Sequence, residues 1–355
     1  MSVPVCDKLR ALAAYDPDIN TCKIHLDANE SFLELPDGLK HRIVDRIIGL
    51  SYNRYPDPLA SGACAAFARR IRIGAEYVTA GNGSDELLSI LFNCFLSRGD
   101  CALITRPDFS MYSIYCSLAQ ARPAVLGKRG DLSFDPDGMI ALAKESGAKL
   151  VIFSNPCNPT GLGITAAEVL RICDSVDALV VVDEAYMDFW DQSVLREAPG
   201  RENLMVLKTC SKIGFAAARL GFAVANRTLT GYLRAAKSPY NVNSLTQLAA
   251  EELLGDPRYL DDAVAKIKAS RDELYDAMRA LAAKYPDKLE VFSTRTNFVT
   301  ARSQSAKELH RALRMGGVSV RMLDGGLLRI TAGTEKENAA VVSLLDNAIS
   351  ALGSR

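Results

Sequence analysis

The sequence predicts an α/β fold, in which a mainly parallel sheet is sandwiched by helices and a smaller α+β domain follows. Apolar strands without strict polar alternation recur between helical segments, and strands of that kind are buried on both faces. After about residue 228 this regular alternation gives way to long helices and short strands. The 355 residues are also too many for one ordinary core, so we expect two domains.

The first part of the chain contains the predicted parallel sheet. Its strands are expected at 77–80, 101–105, 149–153, 178–182, 204–207 and 220–225. Helices are expected at 36–50, 87–96, 110–120, 136–146 and 165–175. Ser84 is in position to cap the helix that follows the first strand. Thr165 and Glu168 have the spacing of a capping box at the last helix.

Both ends of the chain are assigned to the smaller domain. A short helix at 9–15 and a strand at 23–26 precede the sheet, in a segment too short to fold alone. After the sheet, helices are expected at 244–254, 259–284 and 305–315, and strands at 289–292, 297–301, 318–321 and 327–331. A final helix begins at Thr334, with Glu337 completing a second capping box. We therefore predict a large domain over 36–240 and a small domain formed by 1–35 with 241–355.

Composition and charge argue against several classes of function. Lys and Arg together number 42, as do Asp and Glu, so no net charge attracts nucleic acid or an anionic membrane. No run approaches the ~20 apolar residues of a membrane helix, and the N-terminus lacks a signal-peptide pattern. The nine cysteines include no C-x-x-C pair and the three histidines stand alone. These patterns predict reduced core thiols, no metal site and a cytoplasmic protein.

One polar stretch, Thr209 to Gly221, lies between two predicted core strands. A lysine is costly to hold in such a place unless it is paired or covalently used, and a buried amine is a nucleophile that forms a Schiff base with a carbonyl. Lys212 has this position, and the hydroxyls of Thr209 and Ser211 with Arg219 can bind a phosphate beside it. A lysine for an aldehyde and a site for a phosphate indicate pyridoxal phosphate. A polar loop with a solvated lysine is the alternative.

Polar and aromatic side chains follow other predicted strands, at the sheet edge where ligands bind. The carboxylate of Asp183 suits a protonated pyridine nitrogen, and Tyr186 and Asn158 can donate to a phenolic oxygen. Phe109 offers a ring to stack on a flat heterocycle. The turn at 81–83, ahead of a helix, is either an anion site or a plain connection. Three of these side chains also have interpretations that need no cofactor. Asp183 could be a helix cap or a Mg²⁺ ligand, Asn158 could belong to a simple turn, and Phe109 could be a core residue.

Four motifs that include these residues occur in a fixed order. They are Gly83-Ser84-Asp85-Glu86, Asn155-Pro156-Cys157-Asn158-Pro159-Thr160-Gly161, Asp183-Glu184-Ala185-Tyr186, and Ser211-Lys212 with Arg219. Together they resemble the class I/II aminotransferases of the fold-type I pyridoxal-phosphate enzymes. Four further motifs are Leu26-Asp27-Ala28-Asn29-Glu30, Asn53-Arg54-Tyr55-Pro56-Asp57, Pro239-Tyr240-Asn241-Val242-Asn243 and Leu328-Arg329-Ile330-Thr331-Ala332-Gly333-Thr334. These resemble, more narrowly, the histidinol-phosphate aminotransferase family.

The resemblance implies a pyridoxal 5′-phosphate cofactor and a role for each residue around its ring. It implies that Lys212 forms the Schiff base and then shuttles a proton between the substrate Cα and C4′ of the cofactor. Asp183 is implied to pair with the pyridine nitrogen, while Asn158 and Tyr186 hold the phenolic oxygen. Phe109 matches the stacking position, which is usually a tyrosine in this family.

The resemblance also implies how the cofactor phosphate is bound. The backbone amides of Ser84 and Asp85 match the family's phosphate site. Thr209, Ser211 and Arg219 match the side chains that complete it. The expected cofactor site therefore joins the start of one helix to the stretch that carries the lysine.

A second subunit and a substrate pocket follow from the same resemblance. Tyr55 matches a tyrosine that reaches the phosphate of the neighbouring subunit, so a homodimer is implied. Arg329 matches the arginine that binds the acidic group of the substrate, although a surface position on a strand is the alternative. Arg321, Tyr15 and Asn29 are further candidates for the same pocket.

The expected function is transamination of L-histidinol phosphate, an amino-acid-like small molecule, with 2-oxoglutarate. The products are imidazole acetol phosphate and glutamate, in histidine biosynthesis. A threonine-phosphate decarboxylase and an aromatic amino-acid aminotransferase are alternatives that fit the same residues. A regulator that binds pyridoxal phosphate is the non-enzyme alternative, and it predicts the loss of a member of the set Lys212, Asp183 and Arg219, none of which is lost.

Overall fold

Two β-sheets with flanking helices make up the computed structural model, which describes residues 6–10 and 21–352. The helices are α1 (Asp7–Arg10), α2 (Asp37–Ile48), α3 (Ser61–Ile71), α4 (Ser84–Phe95), α5 (Met111–Leu118), α6 (Pro136–Ser146), α7 (Ala166–Ser175), α8 (Arg227–Ala236), α9 (Ser244–Leu254), α10 (Pro257–Lys284), α11 (Ala306–Met315) and α12 (Glu335–Leu352). The strands are β1 (Ile24–Leu26), β2 (Val78–Gly81), β3 (Cys101–Arg106), β4 (Arg122–Gly127), β5 (Ala148–Ser154), β6 (Leu179–Asp183), β7 (Leu204–Thr209), β8 (Gly221–Ala225), β9 (Glu290–Val291), β10 (Phe298–Arg302), β11 (Val318–Leu323) and β12 (Leu327–Thr331).

The larger sheet has seven strands in the order β2-β8-β7-β6-β5-β3-β4. Neighbours from β7 to β4 run parallel, and β8 runs antiparallel to both β7 and β2. The prediction of a mainly parallel sheet is therefore confirmed. β8 is reversed because only a short stretch, the one that carries Lys212, connects it to β7, whereas a parallel connection needs a long crossover.

Helices cover both faces of this sheet, as the apolar strands predict. In β5, Leu150 and Ile152 pack in one cluster with α4, α5 and α8. The alternate residues Val151 and Phe153 pack in another cluster with α3, α6, α7 and α9. Successive side chains of a strand point to opposite faces, so a strand that is apolar throughout needs a helical layer on each side.

The smaller sheet has the strand order β1-β11-β12-β10-β9. β1, from the start of the chain, pairs parallel with β11, and His25 lies opposite Ser319. The other pairs are antiparallel, and α10, α11 and α12 supply the apolar cluster that covers the sheet. The division into 36–240 and 1–35 with 241–355 stays a prediction. α9, which falls in the second group, packs against α2 and α3 beside the larger sheet.

Some local predictions are confirmed and others are wrong. The capping box of α7 is present, because Thr165 Oγ1 accepts from the backbone N–H of Glu168 at 3.3 Å and the Glu168 side chain accepts in return. Thr334 and Glu337 form the same pair of bonds before α12. The prediction that Ser84 caps α4 is wrong, since Ser84 is the first helical residue and Gly83 occupies the N-cap position.

The sequence patterns do not predict α3, β4 or α8. β4 contains Pro123 and has an exposed, polar start, which obscures a strand, and it lies at the edge of the sheet where a proline is tolerated. Of the helix expected at 9–15, residues 9 and 10 lie in α1, and residues 11–20 lie outside the described residues. In the part of the chain that the structure describes, no helix has the length and apolar character needed to cross a membrane.

Candidate active site

The candidate site lies at the carboxyl edge of the seven-stranded sheet. β3, β5, β6 and β7 run in the same direction, so the segments that follow them meet at this edge. Ser154 ends β5, Asp183 ends β6 and Thr209 ends β7. The sheet therefore brings together residues that are far apart in the sequence, and the segment after β1 approaches them from the smaller sheet.

Asp183 is the buried carboxyl group of this edge, with 4% of its surface exposed. Its Oδ2 accepts a hydrogen bond from the Tyr112 hydroxyl at 2.9 Å, and its Oδ1 accepts from the backbone N–H of Ala185 at 3.1 Å. Burial raises the pKa of Asp183 to about 6, although the hydrogen bond from Tyr112 acts in the opposite direction. A protonated ring nitrogen against this carboxyl group would compensate for its burial, so the residue fits its predicted role.

Lys212 lies half-buried in the connection from β7 to β8. Its Nζ donates to the backbone carbonyl of Ala28 at 3.2 Å and lies 5.8 Å from the centre of the Tyr186 ring. Ala28 belongs to the segment that follows β1, so this segment closes over the lysine. The amine is therefore placed beside Tyr186, as the predicted site requires.

Two glycines leave space at the N-terminus of α4. At Gly221 a Cβ would meet the backbone N of Ser84 at 2.4 Å. At Gly83, which has a φ of +79°, a Cβ would meet Nη2 of Arg219 at 2.9 Å. The first N–H groups of a helix, here including those of Ser84 and Asp85, have no acceptor within it. These groups and the arginine converge on a place that suits an anion.

Two buried hydroxyl groups lie on the same stretch as Arg219. Thr209 Oγ1 donates to Ser211 Oγ at 2.9 Å and accepts from the backbone N–H of Ser211 at 3.2 Å. Arg219 itself lies 3.1 Å from the Asp85 carboxylate. Amides, hydroxyls and a guanidinium are the donors that bind phosphate well, so this donor set fits the phosphate of pyridoxal phosphate. Within residues 6–10 and 21–352, no cluster of His, Cys, Asp or Glu is placed to hold a metal ion.

Tyr186 is tied to the N-terminal segment through Asn29. Asn29 is 1% exposed, and its Nδ2 donates to the Tyr186 hydroxyl at 2.8 Å. Its backbone N–H donates to Thr331 Oγ1 at 3.0 Å, and Asn297 donates to its carbonyl oxygen. Because the Tyr186 oxygen accepts this bond, its own O–H stays available to donate, as the predicted contact with a phenolic oxygen requires. Asn29, predicted for the substrate pocket, lies one hydrogen bond behind that tyrosine.

Arg329 connects the smaller sheet to the same site. Its guanidinium donates to Asn158 Oδ1 and to the backbone carbonyl of Asp27. The residue is 9% exposed, so the alternative of a surface position on a strand is wrong. Arg321 of β11 lies directly opposite it in the antiparallel ladder, and side chains of such a pair share one face of the sheet. The structure therefore brings these two predicted residues together.

Phe109 follows β3, and its ring packs edge-on against Tyr112 with the ring centres 5.6 Å apart. Tyr112 is the hydroxyl donor to Asp183, so the predicted stacking ring and the buried carboxyl group share one neighbour. The sequence reasoning missed Tyr112. A signal exists, because a tyrosine on the apolar side of a helix one turn beyond Phe109 needs a partner for its hydroxyl.

One predicted residue, Tyr55, stands apart from this cluster. Tyr55 is 81% exposed, and its ring stacks on that of Tyr240 at 4.6 Å. The described contacts do not bring it to the phosphate site of its own chain, and its predicted role across a dimer interface stays a prediction. Tyr15 lies outside the described residues.

Comparison with known sequences finds one family and close relatives. The sequence model of the family described as "Aminotransferase class I and II" matches residues 21–345. A histidinol-phosphate aminotransferase from Clostridium novyi (strain NT) is 36% identical over 336 residues, which are 93% of this chain and 93% of that protein. The match therefore extends over both sheets and over every described element of the site.

Solved structures with the same fold include two kinds of enzyme. The histidinol-phosphate aminotransferase from Sinorhizobium meliloti, solved with pyridoxal 5′-phosphate, aligns with a TM-score of 0.90 at 20% identity and covers 99% of each chain. The L-threonine-O-3-phosphate decarboxylase from Porphyromonas gingivalis aligns with a TM-score of 0.78 at 23% identity, covering 92% of this chain and 99% of that one. At these identities the likeness shows the fold alone.

Proposed function

The chain belongs to the class I and II aminotransferases, and from this premise we propose that it transfers an amino group from L-histidinol phosphate to 2-oxoglutarate with pyridoxal 5′-phosphate as cofactor. The relative from Clostridium novyi, named for histidinol phosphate, supports this donor. The products are imidazole acetol phosphate and glutamate, which places the reaction in histidine biosynthesis.

The observation that carries this substrate is the pair of arginines opposite each other in the smaller sheet. Arg321 and Arg329 share one face at directly paired positions of β11 and β12. Like charges opposite each other destabilise a sheet, and an anion with two charges bound between them removes that cost. A phosphate monoester has this charge and accepts several hydrogen bonds. Arg329 also holds Asn158, so the phosphate end of the substrate lies next to the cofactor site.

The chemistry is divided between the cofactor and the protein. Bound pyridoxal phosphate supplies an electron-withdrawing ring that accepts the electrons released when the substrate Cα–H bond breaks. Asp183 would hold the ring nitrogen, Tyr186 and Asn158 the phenolic oxygen, and Phe109 the face of the ring. The N-terminus of α4 with Thr209, Ser211 and Arg219 would hold the phosphate.

Lys212 would move the proton. Its Nζ, beside Tyr186 and the carbonyl of Ala28, is the basic group on the described wall of the site. It would carry the proton between the substrate Cα and C4′ of the cofactor, in opposite directions in the two half-reactions, so that one base serves both substrates. The segment that contains Ala28 and Asn29 lies against this base, since the Ala28 carbonyl accepts from Nζ and Asn29 bonds the neighbouring Tyr186.

Steady-state transamination tests this proposal directly. We expect the purified protein to turn over L-histidinol phosphate and 2-oxoglutarate with a higher kcat/KM than it shows for phenylalanine or tyrosine. Preference for the aromatic amino acids would favour an aromatic aminotransferase. Release of carbon dioxide from threonine phosphate would favour a decarboxylase, whose fold the chain also shares. Failure to bind pyridoxal phosphate at all would contradict the whole proposal.

A substitution at the arginine pair tests the phosphate site. Arg321→Gln should raise the KM for L-histidinol phosphate by about tenfold or more, because a charged hydrogen bond to the phosphate is lost. The KM for 2-oxoglutarate and for aromatic donors should change much less. Arg302→Gln is the matched control, since Arg302 lies on the same sheet but pairs with Glu290 at the surface. An equal rise for all donors would contradict binding of the phosphate by Arg321.

We also propose a homodimer in the cytoplasm. Tyr52 and Tyr55, 71% and 81% exposed, lie on the loop between α2 and α3, and an apolar exposed face of this kind suits a subunit interface. The hydroxyl of Tyr55 would then reach the phosphate site of the partner. The nine free cysteines are consistent with a reducing compartment.

A further inference from the structure

Lys128 and Asp108 form a buried ion pair beneath the candidate site. The side chains are each 1% exposed, and Nζ lies 3.4 Å from Oδ2. Burial lowers the pKa of the lysine, but the charges and hydrogen bonds of Asp108 and Cys157 together outweigh this effect, and the pKa of Lys128 is raised overall. A buried ion pair seldom makes a protein more stable than apolar residues of similar size would at the same positions. Stability alone therefore does not explain why this pair is present.

The lysine joins the ends of two strands. Lys128 follows β4, and its Nζ donates to the carbonyl of Pro107 at 2.6 Å and to Thr105 Oγ1 at 3.2 Å, both at the end of β3. The amine also lies 4.3 Å from the centre of the Phe134 ring. These contacts fix the backbone immediately before Phe109.

The aspartate joins the same backbone to the end of β5. Asp108 accepts from Ser154 Oγ, and Ser154 Oγ in turn accepts from the backbone N–H of Asn158 at 3.2 Å. The carboxylate also accepts from the backbone N–H of Phe109 at 2.8 Å, from Thr105 Oγ1 and, at 3.4 Å, from the backbone N–H of Ser154. One buried carboxylate is thus bonded to the backbone of the stacking residue and, through one serine, to that of the asparagine that faces the phenolic oxygen.

We propose that the Lys128–Asp108 pair is a positioning device that sets the distance between Phe109 and Asn158 for the cofactor ring. This inference rests on the proposed function. The lysine neutralises Asp108 and holds β3 and β4 together at their ends, and the carboxylate ties β3 to β5. Without the cation, Asp108 would carry an uncompensated buried charge near Asp183. Either the loop that carries Asp108 would have to open, or the carboxylate would have to take up a proton.

This inference is tested by titrating the apoprotein with pyridoxal phosphate. The absorbance and the circular dichroism of the cofactor band monitor the binding. Lys128→Met should raise the Kd of the cofactor by about tenfold or more and reduce the dichroic amplitude at saturation, since the amplitude reports how the ring is oriented. If Lys128→Met does not fold, Asp108→Asn serves in its place, with the same expected direction.

A control separates positioning from general stability. Arg46→Met removes a cation that bonds Glu251 and Glu252 between α2 and α9, away from the cofactor ring. It should lower the melting temperature but leave the cofactor Kd within about twofold of wild type. A wild-type Kd and dichroic band in the Lys128 variant would overturn the inference while leaving the proposed function intact. Absence of cofactor binding by the wild-type protein would instead overturn the proposed function.

Discussion

Two neighbouring carboxyl groups at the end of β6, those of Asp183 and Glu184, have different partners and different roles. Asp183 points to the site and is bonded to Tyr112, and burial raises its pKa to about 6. Glu184 is fully buried among other partners, accepting from Ser193 Oγ at 2.6 Å and from the backbone N–H of Val194 at 2.8 Å. Burial raises the pKa of Glu184 to about 7. Asp183 thus belongs to the proposed cofactor site, whereas Glu184 anchors the loop that follows it.

Glu184→Gln should change how stability depends on pH. The pKa of Glu184 rises from 4.5 to about 7, so between these pH values the folded state binds more protons than the unfolded state. Its contribution to stability is present at low pH and is lost as the pH rises through 7. We expect wild type to lose about 3 kcal/mol more than the variant between pH 4.5 and 8. Urea unfolding of both apoproteins across that range measures this difference.

Glu290→Gln is the control for this titration. Glu290 pairs with Arg302 on an exposed part of the smaller sheet, so this variant controls for replacing a carboxylate by an amide outside the core. Parallel profiles for wild type and Glu184→Gln would show that Glu184 does not titrate as its burial implies.

The residue types at the site could be predicted, but their partners could not. Lys212, Asp183 and Arg219 are recognisable because each is a charge next to a core strand, where an unused charge is costly. The contact of Tyr112 with Asp183 joins residues 71 positions apart, and no local pattern specifies which side chains meet over that distance. The Lys128–Asp108 pair was missed for the same reason.

At the scale of elements, the two helix starts α4 and α7 show when a local rule holds. At α7 the residues of the capping box are free to bond each other, and they do so. At α4 the chain has to approach β8 closely, and Gly83 rather than Ser84 takes the N-cap position with a φ of +79°. Glu86 then accepts from the backbone N–H of Asn82 at 2.6 Å. The close approach to β8 thus determines which residue occupies the N-cap position, and the cap by Ser84 that the sequence predicts does not form.

Thr165→Ala should destabilise the protein by about 1 kcal/mol, because the backbone N–H of Glu168 loses its acceptor at the start of α7. The midpoint of urea unfolding measures the loss. Thr165→Ser keeps the hydroxyl and should stay close to wild type. Equal destabilisation by both substitutions would assign the effect to the lost methyl group rather than to the cap.

At the scale of the whole molecule, the site exists because two sheets meet. Asn29, which follows β1, bonds Tyr186, which follows β6 of the larger sheet, and Thr331 on the smaller one. Arg329 of the smaller sheet bonds Asn158, which follows β5 of the larger. The sequence predicts strands of both sheets, but the parallel pairing of β1 with β11 joins opposite ends of the chain and no periodicity reveals it.

Mixing two impaired variants tests the proposed dimer. Tyr55→Ala lacks the hydroxyl that is proposed to reach the partner and should bind the cofactor more weakly, while Lys212→Ala lacks the proposed base. In a hybrid dimer, the subunit that keeps Lys212 receives an intact Tyr55 from its partner. We therefore expect the mixture, after exchange of subunits, to exceed the activity of either variant alone.

Sedimentation of wild type at micromolar concentration should show the mass of two chains. Tyr52→Ala is the control, since it changes a neighbouring exposed tyrosine on the same loop without removing the Tyr55 hydroxyl. A monomer, or a mixture no more active than Tyr55→Ala by itself, would contradict the contribution of Tyr55 across subunits.

The pairing of β1 with β11 also has a consequence for the order of events during synthesis. The bond between Asn29 and Thr331 spans 302 positions, so the segment next to Lys212 stays without its partner strand until about 300 further residues have been synthesised. At 5–20 residues per second this wait lasts roughly 15 to 60 seconds. The seven-stranded sheet, whose last strand ends at Ala225, has all its strands well before that time. The seven-stranded sheet is thus synthesised before the strand that holds the segment next to Lys212.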